Sequence, residues 1–506
     1  MIENLLYGME ILFTWTNLLA VLIGVTAGIA VGVLPGLGPS IGVALLVPFT
    51  YTLDPATSLI LLAALYVGAE YGGSISAILI STPGTAAAVA TVIDGYALNQ
   101  RGFPGKALNA SLISSTVGGI ISTLFLIFLS IPLASFALRF GPPEYFSLGV
   151  FGLAIVASLS GKSLAKGLLM AVLGLIVTTV GVDPISGVPR FTFGRYELLE
   201  GIPFLPALIG MFAIAEVFKM LEESLKKTAV TQKIESALLS LKEIRSIVPT
   251  ILRGSVIGSL VGTIPGAGAG VACWIAYDQE KRLSKNPDEF GKGALAGIAA
   301  PESANNATVG GALVPLLALG VPGSPTTAIM LGALMLHGLQ PGPQLFVKNP
   351  DVVYSLFVSL FFACILMLFV GLMFTKLWIK ILSLPISVLG PIIFALSVIG
   401  AFTVRKMVFD VFLAFGFGIL GFIFKKYEFP LAPAILGMVL GFMIEANLRR
   451  SLLLSQGDFS IFFTRPLSLL LIVLALVSFI YPIYKGWKKE METKKVEEIK
   501  ANENQQ

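Results

Sequence analysis

The sequence predicts an all-α polytopic membrane protein built from two homologous halves, read as inverted repeats, with interrupted or re-entrant helices meeting near the bilayer midplane. Three observations carry that prediction. Of 506 residues, 56% are hydrophobic and 12% charged, with a mean hydropathy of +0.89, whereas soluble domains carry about 25% charged residues. This balance excludes an ordinary soluble enzyme, a disordered chain and a nucleic-acid binder. The net charge of +5 sits in short Lys/Arg clusters between long apolar runs, as in multi-spanning proteins. The chain also repeats itself, and Pro-Gly interruptions recur at matching places in the two halves.

Residues 1–10 contain Glu3 and Glu10 but no Lys or Arg, so the basic region of a cleavable signal is missing and the mature chain is expected to start at or near Met1. Residues 11–50 are apolar for about 40 positions, roughly 60 Å as one helix, against a hydrocarbon core of about 30 Å. The segment LPGLGPS (34–40) is the expected break: Pro35 and Pro39 lack an N–H, and Gly36 and Gly38 tolerate backbone angles closed to other residues. GVTAGIAVGVLPGLG (24–38) reappears as GSVIGSLVGTIPGAG (254–268) at an offset of 230, with Gly24, Gly28, Gly32, Pro35, Gly36 and Gly38 falling on Gly254, Gly258, Gly262, Pro265, Gly266 and Gly268. STPGT (81–85) matches GVPGS (320–324), and PALIGM (206–211) matches PAILGM (433–438).

The repeats are therefore 1–221 and 247–465. Between them lies a charged linker, 222–246, whose second part is amphipathic; an extra transmembrane helix at 466–484 and a charged tail at 485–506 follow. Both linker and tail are rich in Lys, which places them in the cytoplasm and requires an even number of crossings between them. An odd number in each half makes the halves inverted copies. Loop charge agrees in part: 51–56 has no base, while the corresponding loop carries Lys281, Arg282, Lys285 and Lys292, but Arg449, Arg450 and Arg465 run against the pattern.

Breaks inside a bilayer leave main-chain groups that only protein or a wet cavity can satisfy. In ISTPGTAAA (80–88) and LGVPGSPTTA (319–328) a Pro-Gly turn is followed by helix-starting hydroxyl residues. The N–H groups of such a helix suit a carboxylate, and the carbonyls ending the preceding helix suit Na⁺. Candidate substrate-binding residues are Ser81, Thr82, Gly84, Thr85, Gly323, Ser324, Thr326 and Thr327, with Asn305 and Asn306. Candidate ion-binding residues are Pro35, Gly36, Gly38, Ser40, Glu70, Ser74, Pro265, Gly266, Gly268, Glu302 and Ser303. Glu70 and Glu302 are read as equivalent intramembrane carboxylates, functional by default, with capping or cross-linking of helix ends as the bland reading. Glu216 and Glu445, another symmetric pair beside basic helix ends, are read as structural. Cys273 and Cys364 are expected to be packed thiols, and His337, the single histidine, cannot form a metal cluster alone.

These residues resemble the TctA family, the large membrane subunit of tripartite tricarboxylate transporters. The likeness is carried by GVLPGLGPSIGVALLVPFTY (32–51), YGGSISAILISTPGTAAAVATVIDGYALNQRGFPGKAL (71–108), GTIPGAGAGVACWIAYDQEKR (262–282), APESANNA (300–307) and GVPGSPTTAIMLGALMLHGLQPGP (320–343). It implies a non-enzymatic, multi-pass protein of the cell inner (plasma) membrane that works with a small TctB-like membrane subunit and a TctC-like extracytoplasmic solute-binding protein. It further implies import of a tricarboxylate or other carboxylate driven by an ion gradient, typically Na⁺, with no cofactor. Two other readings stand beside it: a proton-coupled or partner-independent carrier, and, remotely, an intramembrane serine hydrolase using Ser74 and His337.

Overall fold

The computed structural model describes residues 2–159, 163–183, 186–223, 238–382 and 384–480. Nine helices among them are long and apolar enough to cross a membrane. Strand among these residues is limited to Gly181–Val182 paired antiparallel with Pro189–Arg190. The expected all-α polytopic class is therefore what the chain adopts.

The first half contributes α1 (Ile2–Leu12), α2 (Trp15–Val33), α3 (Gly38–Thr50), α4 (Pro55–Ile80), α5 (Val89–Gln100), α6 (Pro104–Ala137), α7 (Pro142–Leu159) and α8 (Leu164–Thr178). Its last span is α9 (Phe204–Ile209), a π-helical turn (Gly210–Ile214) and α10 (Ala215–Glu223). The second half begins with α11 (Leu241–Gly262), α12 (Gly268–Leu283), α13 (Leu295–Leu319), α14 (Pro325–Leu336), α15 (Pro343–Lys348) and α16 (Pro350–Met373). It continues with α17 (Thr375–Leu382), α18 (Ile386–Arg405), α19 (Val408–Lys426), α20 (Leu431–Leu454) and α21 (Ile461–Thr464); the apolar helix α22 (Pro466–Ile480) follows. Linker residues 224–237 and the tail 485–506 lie outside the described residues. Leu241 already opens α11, started by a capping box in which Ser240 and Glu243 satisfy each other's backbone N–H.

Both halves break where their sequences said they must. Gly36 and Gly38 have φ of +89° and +55°, and Gly266 and Gly268 have +80° and +63°, angles that a side chain makes costly. Packing repeats as well. Gly24, Gly28 and Gly32 on α2 abut the carbonyls of Leu61, Leu65 and Ala69 on α4. On α11, Gly254, Gly258 and Gly262 abut those of Ala300, Ala304 and Thr308 on α13. Close backbone approach of this kind is what holds helices together where lipid removes the hydrophobic drive.

The chain forms two compact units, Met1–Arg139 with Ile202–Tyr427, and Phe140–Gly201 with Glu428–Gln506, each drawing on both halves. The division follows from an exchange of last spans. In the first unit Gly210, at the π-turn, receives the Ala414 carbonyl of α19, while Glu216 accepts an ion-pair hydrogen bond from Lys425 at 2.7 Å. In the second unit Gly437 of α20 receives the Ala171 carbonyl of α8, and Glu445 accepts from Arg190 at 2.6 Å. Glu216 and Glu445 thus each tie a half's last span to the other half. Arg449 and Arg465 are also consumed within the second unit, by Asp183 at 2.6 Å and Glu144 at 3.2 Å.

Candidate functional site

All four breaks lie in the first unit, and they touch one another in a ring. Gly84 packs on the Gly32 carbonyl and on the Gly73 Cα, its N–H donating to the Gly73 carbonyl at 3.1 Å. In the second half Gly323 packs on the Gly262 carbonyl, and its own carbonyl accepts from the Gly266 N–H at 3.1 Å. Each first break thus meets the second break of its own half. The halves are then joined crosswise. Ser40 on α3 hydrogen-bonds Thr326 on α14 at 2.9 Å, and Gly270 on α12 faces the Ala86 carbonyl just before α5.

One corner of the ring is rich in hydroxyls. Ser324 caps α14: its Oγ accepts from the Thr327 N–H, and Thr327 Oγ1 accepts from the Ser324 N–H. The Tyr66 hydroxyl reaches Ser324 Oγ at 3.1 Å. With Ser40 and Thr326 this sets five hydroxyls around the N-terminus of a twelve-residue helix, and no charged side chain lies on α14 itself. Such donors and the local dipole favour a carboxylate. Thr85 occupies the matching place before α5, accepting from the Ala88 N–H.

The other corner is a buried acidic cluster around Glu302, the Glu302 chamber. Glu302 on α13 has no exposed surface. Its Oε1 accepts from Ser74 on α4 at 2.6 Å and from Thr91 on α5, and its Oε2 from Ser111 and Ser115 on α6 at 2.8 and 3.0 Å. No described Lys or Arg pairs with it. Glu70, 5% exposed, accepts no hydrogen bond from a described residue. Asn305 and Asn306 donate to the α4 carbonyls of Glu70 and Val67, both at 3.1 Å, which leaves their buried Oδ1 atoms without partners. The oxygens left open are therefore those of Glu70, Asn305 and Asn306, since the four hydroxyls already occupy both oxygens of Glu302, and oxygen ligands of this kind suit a hard cation.

Several expectations are revised by this geometry. Contacts between α2 and α4, and between α11 and α13, repeat at a constant offset of 239 (Leu61 to Ala300, Leu65 to Ala304, Ala69 to Thr308). At that register Glu70 stands where Val309 does and Glu302 where Ala63 does, so the two carboxylates are not counterparts. Packing constrains positions where backbones touch and leaves the polar positions free to differ. Ser303 does not join the chamber: its hydroxyl donates to the Ala299 and Ala300 carbonyls of its own helix, against Gly254. Ser81 and Thr82 are exposed at the end of α4, Ser81 in the left-handed region at φ +57°, away from the buried Gly84 and Thr85. Pro35, Pro265 and Gly266 are half-buried in the breaks themselves. The hydrolase pair is not assembled, because Ser74 donates to Glu302 whereas His337 Nε2 lies 3.4 Å from Thr50.

Tyr66, Thr91, Ser111 and Ser115 are site residues that the sequence reading passed over. Ser111 and Ser115 are i and i+4 on α6, a spacing that shows one polar face on an apolar helix. That signal was legible. Tyr66 and Thr91 gave none, since nothing local tells which helix each would face.

The match to known proteins agrees with this architecture. Residues 18–436 match the Tripartite tricarboxylate transporter TctA family. An uncharacterized 52.8 kDa protein in the TAR-I ttuC' 3' region of Agrobacterium vitis is 39% identical over 498 residues, 98% of this chain and 99% of that one. A second uncharacterized protein, from the TAR-II ttuC' 3' region of the same organism, is 37% identical over 241 residues, 48% of this chain and all of that one. No solved structure matches. The match spans the ring of breaks and both corners, and the chain belongs to the TctA family of tripartite tricarboxylate transporters, as a transporter component and not an enzyme.

Proposed function

We propose that this subunit carries a carboxylate through the membrane together with a coupling cation, Na⁺, in alternating access. The substrate carboxylate is held at the Ser324 corner by the α14 N-terminus, Tyr66, Ser40, Thr326 and Thr327. The cation is held on the Glu302 side by Glu70 and the Asn305 and Asn306 oxygens, beside Glu302 and Ser74, with carbonyls of the breaks at Pro35–Gly38 and Pro265–Gly268. The observation that supports this most is the closed ring of four breaks, with donors gathered at one corner and carboxylates at the other. A cation bound beside the anion lowers the cost of moving a di- or trianion through low dielectric.

On this reading a solute-binding protein outside the cell delivers the substrate, and a small membrane subunit completes the complex. The two halves are inverted in the inner membrane, with linker and tail cytoplasmic. The test is uptake of labelled di- and tricarboxylates, citrate among them, into proteoliposomes, with and without the candidate partners. Uptake that follows an imposed Na⁺ gradient and needs the binding protein supports the reading. Uptake driven by a proton gradient alone would favour Glu70 and Glu302 as proton carriers, and uptake without partners would remove the tripartite requirement.

A further inference from the structure

We propose that α5 is a hinged strap across the Glu302 chamber and that Asp94 is the positioning residue that latches it shut. The consequence for transport rests on the reading above; the latch itself does not. α5 is twelve residues long and stands between two bends. Before it lies the break at 81–88. After it comes the turn at Arg101–Phe103, where Gly102 has φ +87° and open space around it.

Along this strap three side chains grip the second half. Thr91 donates to Glu302. One turn on, on the same face, Asp94 is fully buried and accepts four hydrogen bonds. Its Oδ1 takes the N–H groups of Gly291, Gly293 and Ala294 at 2.9, 2.8 and 2.8 Å, and its Oδ2 takes the Tyr277 hydroxyl at 2.9 Å. Gly291 and Gly293 have φ of +88° and +98°, which turns successive N–H groups into one concave cradle for an anion. Ala294 is the cap residue of α13, so Asp94 also satisfies the start of the helix that carries Glu302. Arg101 adds an exposed bond to the Lys292 carbonyl at 2.9 Å.

The strap covers something. Beneath it, on α12, Cys273 is wholly buried among Ala87 and Ala90, its thiol donating to the Pro301 carbonyl next to Glu302. Lifting α5 off its cradle uncovers Cys273 and breaks the Thr91 bond to Glu302. The chamber then opens toward the side of the loop bearing Lys281, Arg282, Lys285 and Lys292. Asp94 therefore sets how often that side is reached.

The two native thiols make the test. Cys364, on α16, is equally buried but packs against Gly119 of α6 and not against Ala87 and Ala90. The full-length protein in liposomes is treated with N-ethylmaleimide or a membrane-impermeant maleimide, and labelling of each cysteine is followed by peptide mass spectrometry. Asp94→Ala should speed Cys273 labelling by at least about tenfold, since hydrogen bonds to a charged group are the strong ones. Asp94→Asn, which keeps an acceptor but no charge, should fall between that variant and the unaltered protein. Cys364 should not change, and the impermeant reagent should reach Cys273 only from the basic-loop side. Three results would each overturn the proposal: unchanged Cys273 labelling in both variants, a parallel rise at Cys364, or access from the other side. No substrate enters this measurement, so failure of the carboxylate assignment would leave its outcome untouched.

Discussion

α5 and α14 are both twelve-residue helices that follow a Pro-Gly break, yet they are held by different chemistry. α14 is fixed to the first half by neutral groups, Ser324 on Tyr66 and Thr326 on Ser40, and by the Phe204 ring lodged against Gly332. α5 is fixed to the second half by five hydrogen bonds to two buried carboxylates, Thr91 to Glu302 and four onto Asp94, and to α4 by Asn99 on the Ile78 and Leu79 carbonyls. The breaks recur at matching places in the sequence, yet their surroundings differ, one with hydroxyl donors and the other with buried carboxyl groups. A carrier that moves an anion with a cation needs both, and a strictly symmetric pair would offer two copies of one.

The largest effect is expected at Glu302. Replacing it with Ala strands four buried hydroxyls, each costing about 1–3 kcal/mol when unsatisfied, out of a total stability of about 5–15 kcal/mol. Glu302→Ala should therefore express poorly, read as loss of the monodisperse peak in detergent. Glu302→Gln keeps the volume but points an NH₂ at hydroxyls that now donate. It should remain in the membrane and lose uptake by about 100-fold or more, given the same penalty. Near-normal uptake by Glu302→Gln would break the comparison, because the chamber would then be only a structural knot.

Next come the glycines where the breaks touch. A Cβ on Gly84 would run into the Gly32 carbonyl and stand 2.8 Å from the Gly73 Cα; on Gly323 it would meet the Ala312 Cα at 2.7 Å and the Gly262 carbonyl at 2.8 Å. Overpacking of this sort costs about 1–3 kcal/mol. Gly84→Ala should be the more damaging of the two, with a lower melting temperature and less uptake than Gly323→Ala. The reverse order would show that the second half's break bears the tighter contact.

These glycines also show how much was legible beforehand. The breaks at 34–40 and 263–270 could be read because a 40-residue apolar run is too long for the bilayer and Pro-Gly is where it must yield. The repeat could be read because backbone contacts admit only Gly at Gly24, Gly28 and Gly32, and at their partners. Ser324 and Thr327 were legible as a helix start for the same local reason. Long-range pairing was not. That Glu302 would take Ser111 and Ser115 from α6, or that the last spans would exchange between halves, depends on which helices meet, and an apolar surface does not encode its partner locally. Glu70 and Glu302 were matched by their setting in the sequence, whereas only the contact register of α4 and α13 reveals that they differ.

A smaller effect is expected at the hydroxyl-rich corner. Ser324→Ala removes an N-cap worth about 0.5–2 kcal/mol and the partner of Tyr66 together. If the corner binds a carboxylate, the half-saturating substrate concentration should rise while Na⁺ dependence stays as it was. Ser324→Thr, which can still cap, should restore it. A shift in Na⁺ dependence instead would place the cation here and invert the assignment of the two corners.

The finest distinction lies with Tyr66. Its ring is packed in the core, 1% exposed, so Tyr66→Phe keeps the packing and removes one hydroxyl. As a bond to Ser324 alone, that hydroxyl is worth about 0.5–1.5 kcal/mol, and its loss should lower the melting temperature slightly with uptake unchanged. As a donor to the substrate it acts in addition when the carboxylate is bound, so a further cost falls on affinity, about tenfold for 1.4 kcal/mol. Melting temperature and half-saturation measured on the same variant separate the two. Affinity lost beside the slight loss of stability means that Tyr66 turns from Ser324 to the ligand, and the hydroxyl-rich corner is then a site and not merely a well-made joint.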